Sequence, residues 1–350
     1  MHPPAVAQPR DQLQRPLGVL RLSLTARCNL ACPYCLPDGQ EPADLLTIPQ
    51  RLQVVAAAVE LGASSLRLTG GEPLLHPNLV ALVEAVQPLR QRGLREVALT
   101  SNGTLLTAAR AKALREAGLD RITLSLDGAS GPSVARMAGL PDAAAGERTL
   151  AAVLAAIDHA QDAGFEPARG QLKLNAVIQR GVNDDQLLPL AQIARERGLE
   201  LRLIEYMDVG NRNGWNPEAV VSAAEMVERI GVRWPLEPLG RAVGGTASRW
   251  RYGDGGGLLA VVASVSQPFC GDCNRLRVTA DGMAYTCLFA HPSSGIDLKP
   301  WLTAADTPTR LTQGLSALWQ QRNDRYSEER SRIQRQPHRP NHAEMAYLGG

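Results

Sequence analysis

Hydrophobic and polar positions follow two alternating patterns between Val19 and Asp208. Short runs rich in leucine and β-branched residues are separated by longer, alanine-rich stretches whose apolar positions recur at helical spacing. This alternation is typical of βαβ units, in which a helix returns the chain to the start of the next parallel strand. The predicted strands are Val19–Thr25, Ser65–Thr69, Glu96–Ser101, Arg121–Leu126, Gln171–Ile178 and Glu200–Tyr206. The predicted helices between them include Arg51–Leu61, Asn78–Arg92, Ala108–Ala117, Gly146–Ala163 and Asp185–Arg197.

Six parallel strands with helical crossovers predict an α/β fold, an incomplete (β/α)6 barrel. In such folds the ligand-binding groups gather at the carboxyl ends of the strands. Candidate groups follow four of the predicted strands: Cys28 after the first, Gly70 after the second, Asn102 after the third and Asp127 after the fourth. We therefore expect one functional site at this end of the barrel.

The pattern changes after Asp208, where a glycine-rich stretch carries shorter β-like runs at Gly257–Ser266 and Leu276–Thr286. This change indicates a smaller domain that closes the open side of the barrel. A charged helical stretch is predicted from Thr307 to Arg335. The predicted division is a flexible arm over 1–18, a partial barrel over 19–210, a C-terminal domain over 211–335 and a tail over 336–350.

Composition adds constraints on partners and location. The chain has 350 residues, 44% of them hydrophobic, which is enough to fill a sizeable core. Its 37 basic residues nearly cancel its 35 acidic ones, so the overall charge gives no reason to expect nucleic acid or a membrane surface as partner. The sequence shows neither a signal peptide nor an apolar run of about 20 residues, and a soluble, cytoplasmic protein is expected.

All six cysteines fall into two groups, and in a reducing cytoplasm this favours metal ligation over disulfides. The first group, Cys28, Cys32 and Cys35, forms a CxxxCxxC run directly after the first strand. Three thiolates leave one iron of a four-iron cluster without a protein ligand, so that iron can bind a small molecule. A zinc site is the alternative, although zinc ligands usually come as two pairs.

The CxxxCxxC loop, followed by Gly70-Gly71-Glu72-Pro73 after the second strand, resembles the radical S-adenosylmethionine (SAM) superfamily. The resemblance implies that the open iron chelates the amino and carboxylate groups of SAM. It also implies that an electron from the reduced cluster breaks the sulfonium bond to give a deoxyadenosyl radical. The residues implied to bind SAM are Tyr34, Gly70, Gly71, Glu72, Ser125 and Met207.

The second cysteine group repeats the three-thiolate pattern, with Cys270 and Cys273 in a CxxC pair and Cys287 fourteen residues further on. A second open iron is one interpretation. A zinc knuckle completed by His291 or water is the other. Arg275 and Arg277 lie two residues apart on a predicted strand, so they share a face and offer forked donors to phosphate oxygens.

The run CNRxR from Cys273 to Arg277, the spacing to Cys287 and the terminal glycine pair resemble the GTP 3',8-cyclase family of molybdenum cofactor biosynthesis. The resemblance implies that the protein carries two 4Fe–4S clusters and uses GTP as its substrate. It also implies an electron donor and delivery of the product to the next enzyme of the pathway. It is compatible with a homodimer. It implies that the Gly349–Gly350 tail enters the cavity and acts in catalysis. The residues implied to surround GTP are Arg21, Arg67, Thr100, Lys173, Arg202, Arg275 and Arg277.

Three features depart from that family's usual pattern: Ala26 in place of an aspartate, Ser65 in place of a lysine, and a longer stretch from Gly164 to Gln171. They concern substrate affinity more than reaction type. Two alternatives stay open at this point. One is a radical SAM enzyme that modifies a peptide or RNA and carries an auxiliary cluster, and the other is a zinc-stabilised binding module without enzymatic activity.

Overall fold

The computed structural model describes residues 8–37, 40–303, 307–333 and 341–350. The strands are β1 Val19–Ser23, β2 Ser65–Thr69, β3 Glu96–Ser101, β4 Arg121–Ser125, β5 Leu172–Ile178, β6 Glu200–Glu205, β7 Leu236–Arg241, β8 Ser248–Tyr252, β9 Leu258–Val262, β10 Arg275–Val278, β11 Met283–Tyr285 and β12 Ile296–Asp297. The helices are α1 Ile48–Glu60, α2 Leu79–Ala85, α3 Ala108–Glu116, α4 Gly131–Ala138, α5 Ala143–Asp162, α6 Leu187–Glu196, α7 Ala223–Gly231, α8 Lys299–Leu302, α9 Thr307–Gln320, α10 Tyr326–Ile333 and α11 Met345–Leu348.

Within the described residues the strands form a single sheet in the order β12-β11-β10-β1-β2-β3-β4-β5-β6-β9-β8-β7. Strands β1 to β6 run parallel to one another in sequence order, so the predicted α/β barrel fold is confirmed. The later part of the chain lengthens this parallel sheet at both edges, because β10 pairs in parallel with β1 and β9 pairs in parallel with β6.

The connection from β9 to β10, residues 263–274, therefore leaves one edge of the parallel sheet and returns to the other. Inward-facing residues from β1 to β6, β9 and β10 line a common cavity, which shows that the sheet is curled. This connection extends from one edge of the parallel sheet to the other. It carries Cys270 and Cys273, so the second cysteine group faces the inside of the barrel.

Alternation along the strands separates the core from the cavity. On β1, Leu20 and Leu22 are fully buried in the main hydrophobic core, beside residues of α1 such as Val54 and Val55. Arg21, between the two leucines, points the other way and lines the cavity. The core thus lies between the sheet and its surrounding helices, and the polar residues of the strands are left to face the barrel interior.

Helix α1 shows how local sequence sets an element's start. The Thr47 hydroxyl oxygen accepts from the backbone N–H of Gln50, and the Gln50 side-chain oxygen accepts from the backbone N–H of Thr47, so the two residues form a capping box. The predicted helix Asn78–Arg92 is instead α2 followed by a 3-10 helix over Gln87–Arg92. Pro88 explains the break, because proline lacks the N–H that a continuing helix needs.

Two further elements differ from the sequence prediction. Helix α4 was not predicted. The charged stretch from Thr307 forms two helices, α9 and α10, and the turn between them, residues 321–325, carries Arg322 and Asp324. The last predicted position of that stretch, Arg335, lies outside the described residues, as do 336–340 of the predicted tail.

The interpretation of residues 1–18 as a flexible arm is wrong for residues 8–18, whereas 1–7 lie outside the described residues. Asp11, Arg15 and Leu17 are each about 2% exposed. Arg15 forms a buried ion pair with Asp11, and the Trp319 indole N–H donates to the Arg15 carbonyl oxygen at 3.0 Å. A proline- and glutamine-rich composition did not reveal these contacts, and the hydrogen bond from Trp319 joins residues about 300 positions apart in the chain.

No helix in the described part of the chain is both long and apolar enough to cross a membrane.

Candidate active site

Both cysteine groups line the same cavity, which has a volume of about 360 Å³. All six cysteines are free of disulfide bonds. The cavity wall combines sulfur atoms at two places with guanidinium groups from several strands. The cavity-lining members of the predicted site are Arg21, Cys28, Cys32, Tyr34, Cys35, Arg67, Gly70, Gly71, Thr100, Ser125, Arg202, Met207, Cys270, Cys273, Arg275, Arg277, Cys287 and Gly350.

The loop that carries the first cysteine group is held by the glycine loop after β2. The backbone N–H of Gly71 donates to the Thr25 carbonyl at 2.7 Å, and that of Glu72 donates to the Arg27 carbonyl at 2.8 Å. A Cβ atom at Gly71 would overlap the Arg27 carbonyl oxygen. The absence of a side chain at Gly71 is therefore what lets these two loops pack directly against each other.

A carboxylate from outside the motif fixes the start of the cysteine loop. Glu41 accepts from the backbone N–H of Ala26 at 2.8 Å and from the Thr25 hydroxyl. The family's usual aspartate at the Ala26 position is absent here, and Glu41 supplies a carboxylate at this backbone position.

Glu72 does not line the cavity. It is fully buried, accepts from the Ser101 hydroxyl at 2.8 Å and the Asn102 N–H at 2.7 Å, and burial raises its pKa. Asn102 does line the cavity, with its Nδ2 3.8 Å from the Cys28 sulfur. Asn102, which the sequence analysis noted after the third strand without a binding role, thus contacts the first cysteine group. Its position after the third strand was the sequence signal.

Tyr34 and Asp127 form a half-buried, hydrogen-bonded pair at the cavity wall. The Tyr34 hydroxyl donates to Asp127 at 2.8 Å, and the Val177 N–H donates to the other carboxylate oxygen at 2.7 Å. Burial raises the pKa of Asp127 to about 6 and raises that of Tyr34. Asp127 therefore fixes the ring of Tyr34 on the wall that also contains Ser125 and Met207.

The thiols of the two groups differ in electrostatics. Burial raises the pKa of Cys35 to about 12 and also raises those of Cys28 and Cys32. In the second group, burial would raise the pKa of Cys273, but Arg275 and Arg322 outweigh it and lower the pKa to about 6. In the second group the surroundings of Cys273 thus favour its thiolate form, which is the form that binds metal.

Each cysteine group offers three sulfur ligands. Over the described ranges, no three Cys, His, Asp or Glu side chains converge closely enough to hold a single metal ion. A tetrahedral zinc site takes four ligands at one ion, whereas a four-iron cluster attaches each thiolate to a different iron and can leave one iron without a protein ligand.

Arginines on neighbouring strands lie at one level of the cavity. Arg21 on β1 is in register with Arg67 on β2 and with Arg277 on β10. Burial, followed by the charges of Arg277 and Arg67, lowers the pKa of Arg21 well below its ordinary value. The buried side-chain nitrogens without a hydrogen-bond partner include Arg21 Nε, Arg67 Nε, Arg202 Nε and Arg275 Nη1. Buried, unpaired cationic donors of this kind call for an anionic ligand.

Lys173 is the predicted GTP residue that the structure places away from the cavity. Its ammonium lies 3.0 Å from Glu200, and burial lowers its pKa to about 8 against the opposing effect of Glu200. Glu200 also binds Arg202 at 2.8 Å. Ser65, where the family usually has a lysine, donates to Glu96 at 2.8 Å. Glu200, which the sequence analysis did not identify, thus connects Lys173 to the cavity arginines.

The C-terminal tail reaches the cavity. Arg277 Nη1 donates to the Gly349 carbonyl at 3.3 Å, and Gly350 is part of the cavity wall. Gly349 has a φ of +67°, and a Cβ atom there would overlap the Thr69 hydroxyl. Tyr347 donates to Asp281 at 2.9 Å and anchors the segment that precedes the glycines.

Comparison with known proteins agrees with this geometry. The Radical SAM superfamily model matches residues 22–194, and the Molybdenum Cofactor Synthesis C model matches residues 199–328. Among solved structures, Streptococcus suis SuiB bound to precursor peptide SuiA matches with a TM-score of 0.50 and 16% identity, over 62% of this chain and 45% of that one. The chain thus spans under half of that protein, and the likeness concerns the fold alone. The barrel and its CxxxCxxC loop define a radical SAM enzyme.

Curated relatives narrow the class further. A GTP 3',8-cyclase from Synechococcus sp. (strain CC9605) is 62% identical over 347 residues, covering 97% of this chain and 98% of that protein. A GTP 3',8-cyclase from Xanthomonas axonopodis pv. citri (strain 306) is 46% identical over 352 residues, with 97% and 98% covered. The chain belongs to the GTP 3',8-cyclase family of molybdenum cofactor biosynthesis. Its cofactors are two 4Fe–4S clusters and SAM, as predicted, and the zinc-module and peptide- or RNA-modifying alternatives are not supported.

Proposed function

We propose that the cavity between the two cysteine groups is where this chain converts GTP to 3',8-cyclo-7,8-dihydro-GTP, the first step of molybdenum cofactor biosynthesis. The observation that carries the proposal is the set of cavity arginines with buried, unpaired nitrogens. Arg202 is already paired with Glu200, whereas no ion pair to Arg21, Arg67 or Arg275 occurs among the described residues, and an anion with several oxygens, such as a triphosphate, would compensate them.

Cys28, Cys32 and Cys35 hold the first cluster in this proposal and leave its fourth iron open to SAM. When bound, this cluster and SAM supply the radical chemistry that removes a hydrogen atom from the ribose of GTP. Tyr34, Ser125 and the Gly70–Gly71 backbone shape the SAM site. Glu72 acts on the SAM site indirectly. Its buried carboxylate accepts a hydrogen bond from the Asn102 backbone N–H and holds that residue in place.

Arg21, Arg67 and Arg277 hold the triphosphate in this proposal. Their shared level on three adjacent strands places three forked donors side by side. Arg202 and Arg275 add donors from other parts of the wall, and Thr100 adds a hydroxyl. Such a clamp fixes the ribose relative to the first cysteine group, and correct positioning of this kind accounts for much of an enzyme's rate acceleration. Lys173 contributes through Glu200, which also binds Arg202.

Cys270, Cys273 and Cys287 would hold the second cluster, which would supply a binding site for the guanine base. The two groups line one cavity, so a substrate can contact both ends. Gly349 and Gly350 stand beside the arginine clamp and close this space against water. The tail thereby helps to couple substrate binding to SAM cleavage.

The domain boundary, the electron donor and the assembly of the protein belong to the same proposal. We propose a domain boundary near residue 210, just inside the second matched family region, which begins at residue 199. An external donor would supply the electron for SAM cleavage, and the cyclic product would pass to the next enzyme of the pathway in the cytoplasm. We also propose that two copies of the chain form a homodimer.

The decisive experiment is anaerobic incubation of the reconstituted protein with SAM, a reductant and GTP. The expected products are 5'-deoxyadenosine and a nucleotide with the mass of GTP but a different chromatographic retention. A Cys28→Ser variant serves as the control and should give neither. Deoxyadenosine formation with GTP recovered unchanged would refute the proposal.

A further inference from the structure

Arg322, which lies in the turn between α9 and α10, contacts a cysteine of the second group directly. Its Nη2 lies 3.1 Å from the Cys273 sulfur, and its Nη1 donates to the Cys273 carbonyl at 2.6 Å. One guanidinium therefore holds both the sulfur and the backbone of the same residue. The side chain is about 1% exposed, so water does not compete for these bonds.

The opposite side of Arg322 is also fixed. Asp324 accepts from its Nη2 at 3.1 Å and from its Nε at 3.2 Å. The guanidinium lies over the ring of Trp319, 4.7 Å from the ring centroid, and Trp319 is itself fully buried. Salt bridge, stacking and burial together leave this planar group one orientation, with its free edge toward Cys273.

The same network reaches the other two cysteines. Asp324 accepts from the hydroxyl of Thr286, the residue before Cys287, at 2.7 Å. Arg15 Nη1 donates to the carbonyl of Cys270 at 2.7 Å and to that of Asp324 at 3.0 Å. Arg322, Asp324 and Arg15 thus connect the backbone or neighbours of all three sulfur-bearing residues. They come from parts of the chain about 300 residues apart.

The first cysteine group is held differently. In the described part of the chain, the donors to the Cys28 sulfur are neutral, the Leu30 N–H at 3.5 Å and the Asn102 amide at 3.8 Å. The second group has a charged donor at shorter range. Charge and hydrogen bonds at the ligand sulfurs help to set the potential of an iron–sulfur cluster, because they stabilise the extra negative charge of the reduced form.

We propose that Arg322 is a positioning residue of the second cluster, which orients the Cys273 sulfur and makes the cluster easier to reduce than its thiolates alone would allow. This inference rests on the proposed assignment of Cys270, Cys273 and Cys287 as ligands. It does not require Arg322 to touch GTP or SAM.

The test is a potentiometric titration of the full-length, reconstituted protein followed by electron paramagnetic resonance. SAM is added to mark the signal of the first cluster. In R322Q the second cluster's reduction equilibrium should fall at least tenfold, a negative shift of about 59 mV for a one-electron couple, while the first cluster is unchanged. R332Q is the matched control, since it removes an exposed arginine of α10 that pairs with Glu329, and neither potential should move.

Unchanged potential of a fully loaded second cluster in R322Q would overturn the inference. Selective loss of the second cluster in R322Q, with the first cluster retained, would support the inference. The Cys273 sulfur would then no longer be oriented well enough for the second cluster to assemble. If R322Q does not fold, R322K replaces it. Lysine keeps the positive charge but cannot donate to the Cys273 sulfur and the Cys273 carbonyl in the way that the forked guanidinium does. An R322K second-cluster spectrum and potential identical to wild type would then overturn the inference. Persistence of the second-cluster signal in Cys273→Ser would instead refute the ligand assignment.

Discussion

Arg277 donates from Nη1 to the carbonyl oxygen of Gly349, so a cavity arginine and the tail are in direct contact. Arg277 is also one of three arginines at the level proposed to hold the triphosphate. If Arg277 holds the triphosphate as proposed, a substrate phosphate would meet the same guanidinium as the tail carbonyl. The position of the tail would then depend on whether GTP is bound.

Gly349→Ala should keep both clusters and GTP binding but lower GTP-dependent turnover at least tenfold. The left-handed φ of +67° disfavours alanine by about 1 kcal/mol, and the added methyl would overlap the Thr69 hydroxyl. Deoxyadenosine and product are measured by chromatography under single-turnover and steady-state conditions. Gly231→Ala is the control, because its nearest atom would be Leu236 Cδ1 at 3.9 Å. Adding the free tail peptide to a chain lacking both glycines should restore part of the activity. Wild-type turnover in Gly349→Ala would show that the tail has no catalytic role.

Arg275→Ala and Arg277→Ala should each weaken GTP binding by about 1.5–3 kcal/mol, roughly 10- to 150-fold in Kd, because charge-assisted hydrogen bonds to phosphate are lost. Equilibrium binding of radiolabelled GTP to the anaerobic protein measures this. Arg233→Ala, which removes an arginine stacked on Trp234 away from the cavity lining, is the control. An unchanged Kd in both cavity variants would remove these residues from the binding site.

The two cysteine groups should fail differently. Cys28→Ser should abolish SAM cleavage, because the first cluster loses a ligand, whereas Cys287→Ser should retain some uncoupled cleavage and lose GTP cyclisation. Iron and sulfide analysis of each variant establishes which cluster remains. Equal loss of deoxyadenosine in both variants, with the remaining cluster intact, would contradict this division of roles.

Gly71→Ala should lower SAM affinity and first-cluster content together. The added methyl would overlap the Arg27 carbonyl and separate the glycine loop from the cysteine loop. Binding of labelled SAM and iron content are measured, with Gly231→Ala again as control. Normal SAM binding in Gly71→Ala would show that the two loops tolerate separation.

GTP affinity should fall as the pH rises through about 8. The pKa of Lys173 is lowered to about 8 by burial, so the free protein loses this charge above that pH, whereas an anionic ligand favours the protonated form. Binding near pH 8 should accordingly take up a proton, which calorimetry in buffers of different ionisation enthalpy detects. Lys173→Arg should flatten the dependence, because arginine stays charged. The same slope in Lys173→Arg would assign it to another group.

The strand pattern made the barrel predictable from the sequence, and the cysteine motifs made its cofactors predictable. Strands β2 and β3 begin and end where they were predicted, because short apolar runs bounded by polar residues are a local property of the sequence. Arg322, Arg15 and Glu200 could not be identified that way. Each acts through a contact across the fold, such as Arg322 with Cys273, 49 residues away, and no local pattern marks an arginine that will be buried against a sulfur.

The pairing of β10 with β1 has a consequence for biosynthesis of the protein itself. The strand that leads into the first cysteine loop forms its hydrogen-bond ladder with a strand made some 250 residues later. Until Arg275–Val278 leaves the ribosome, β1 presents one unpaired edge, and nascent chains with such edges are prone to associate. If the first cluster is inserted before the barrel is complete, it is inserted next to the unpaired edge of β1. We expect a chain stopped before residue 275 to aggregate rather than to yield a working SAM-cleaving half.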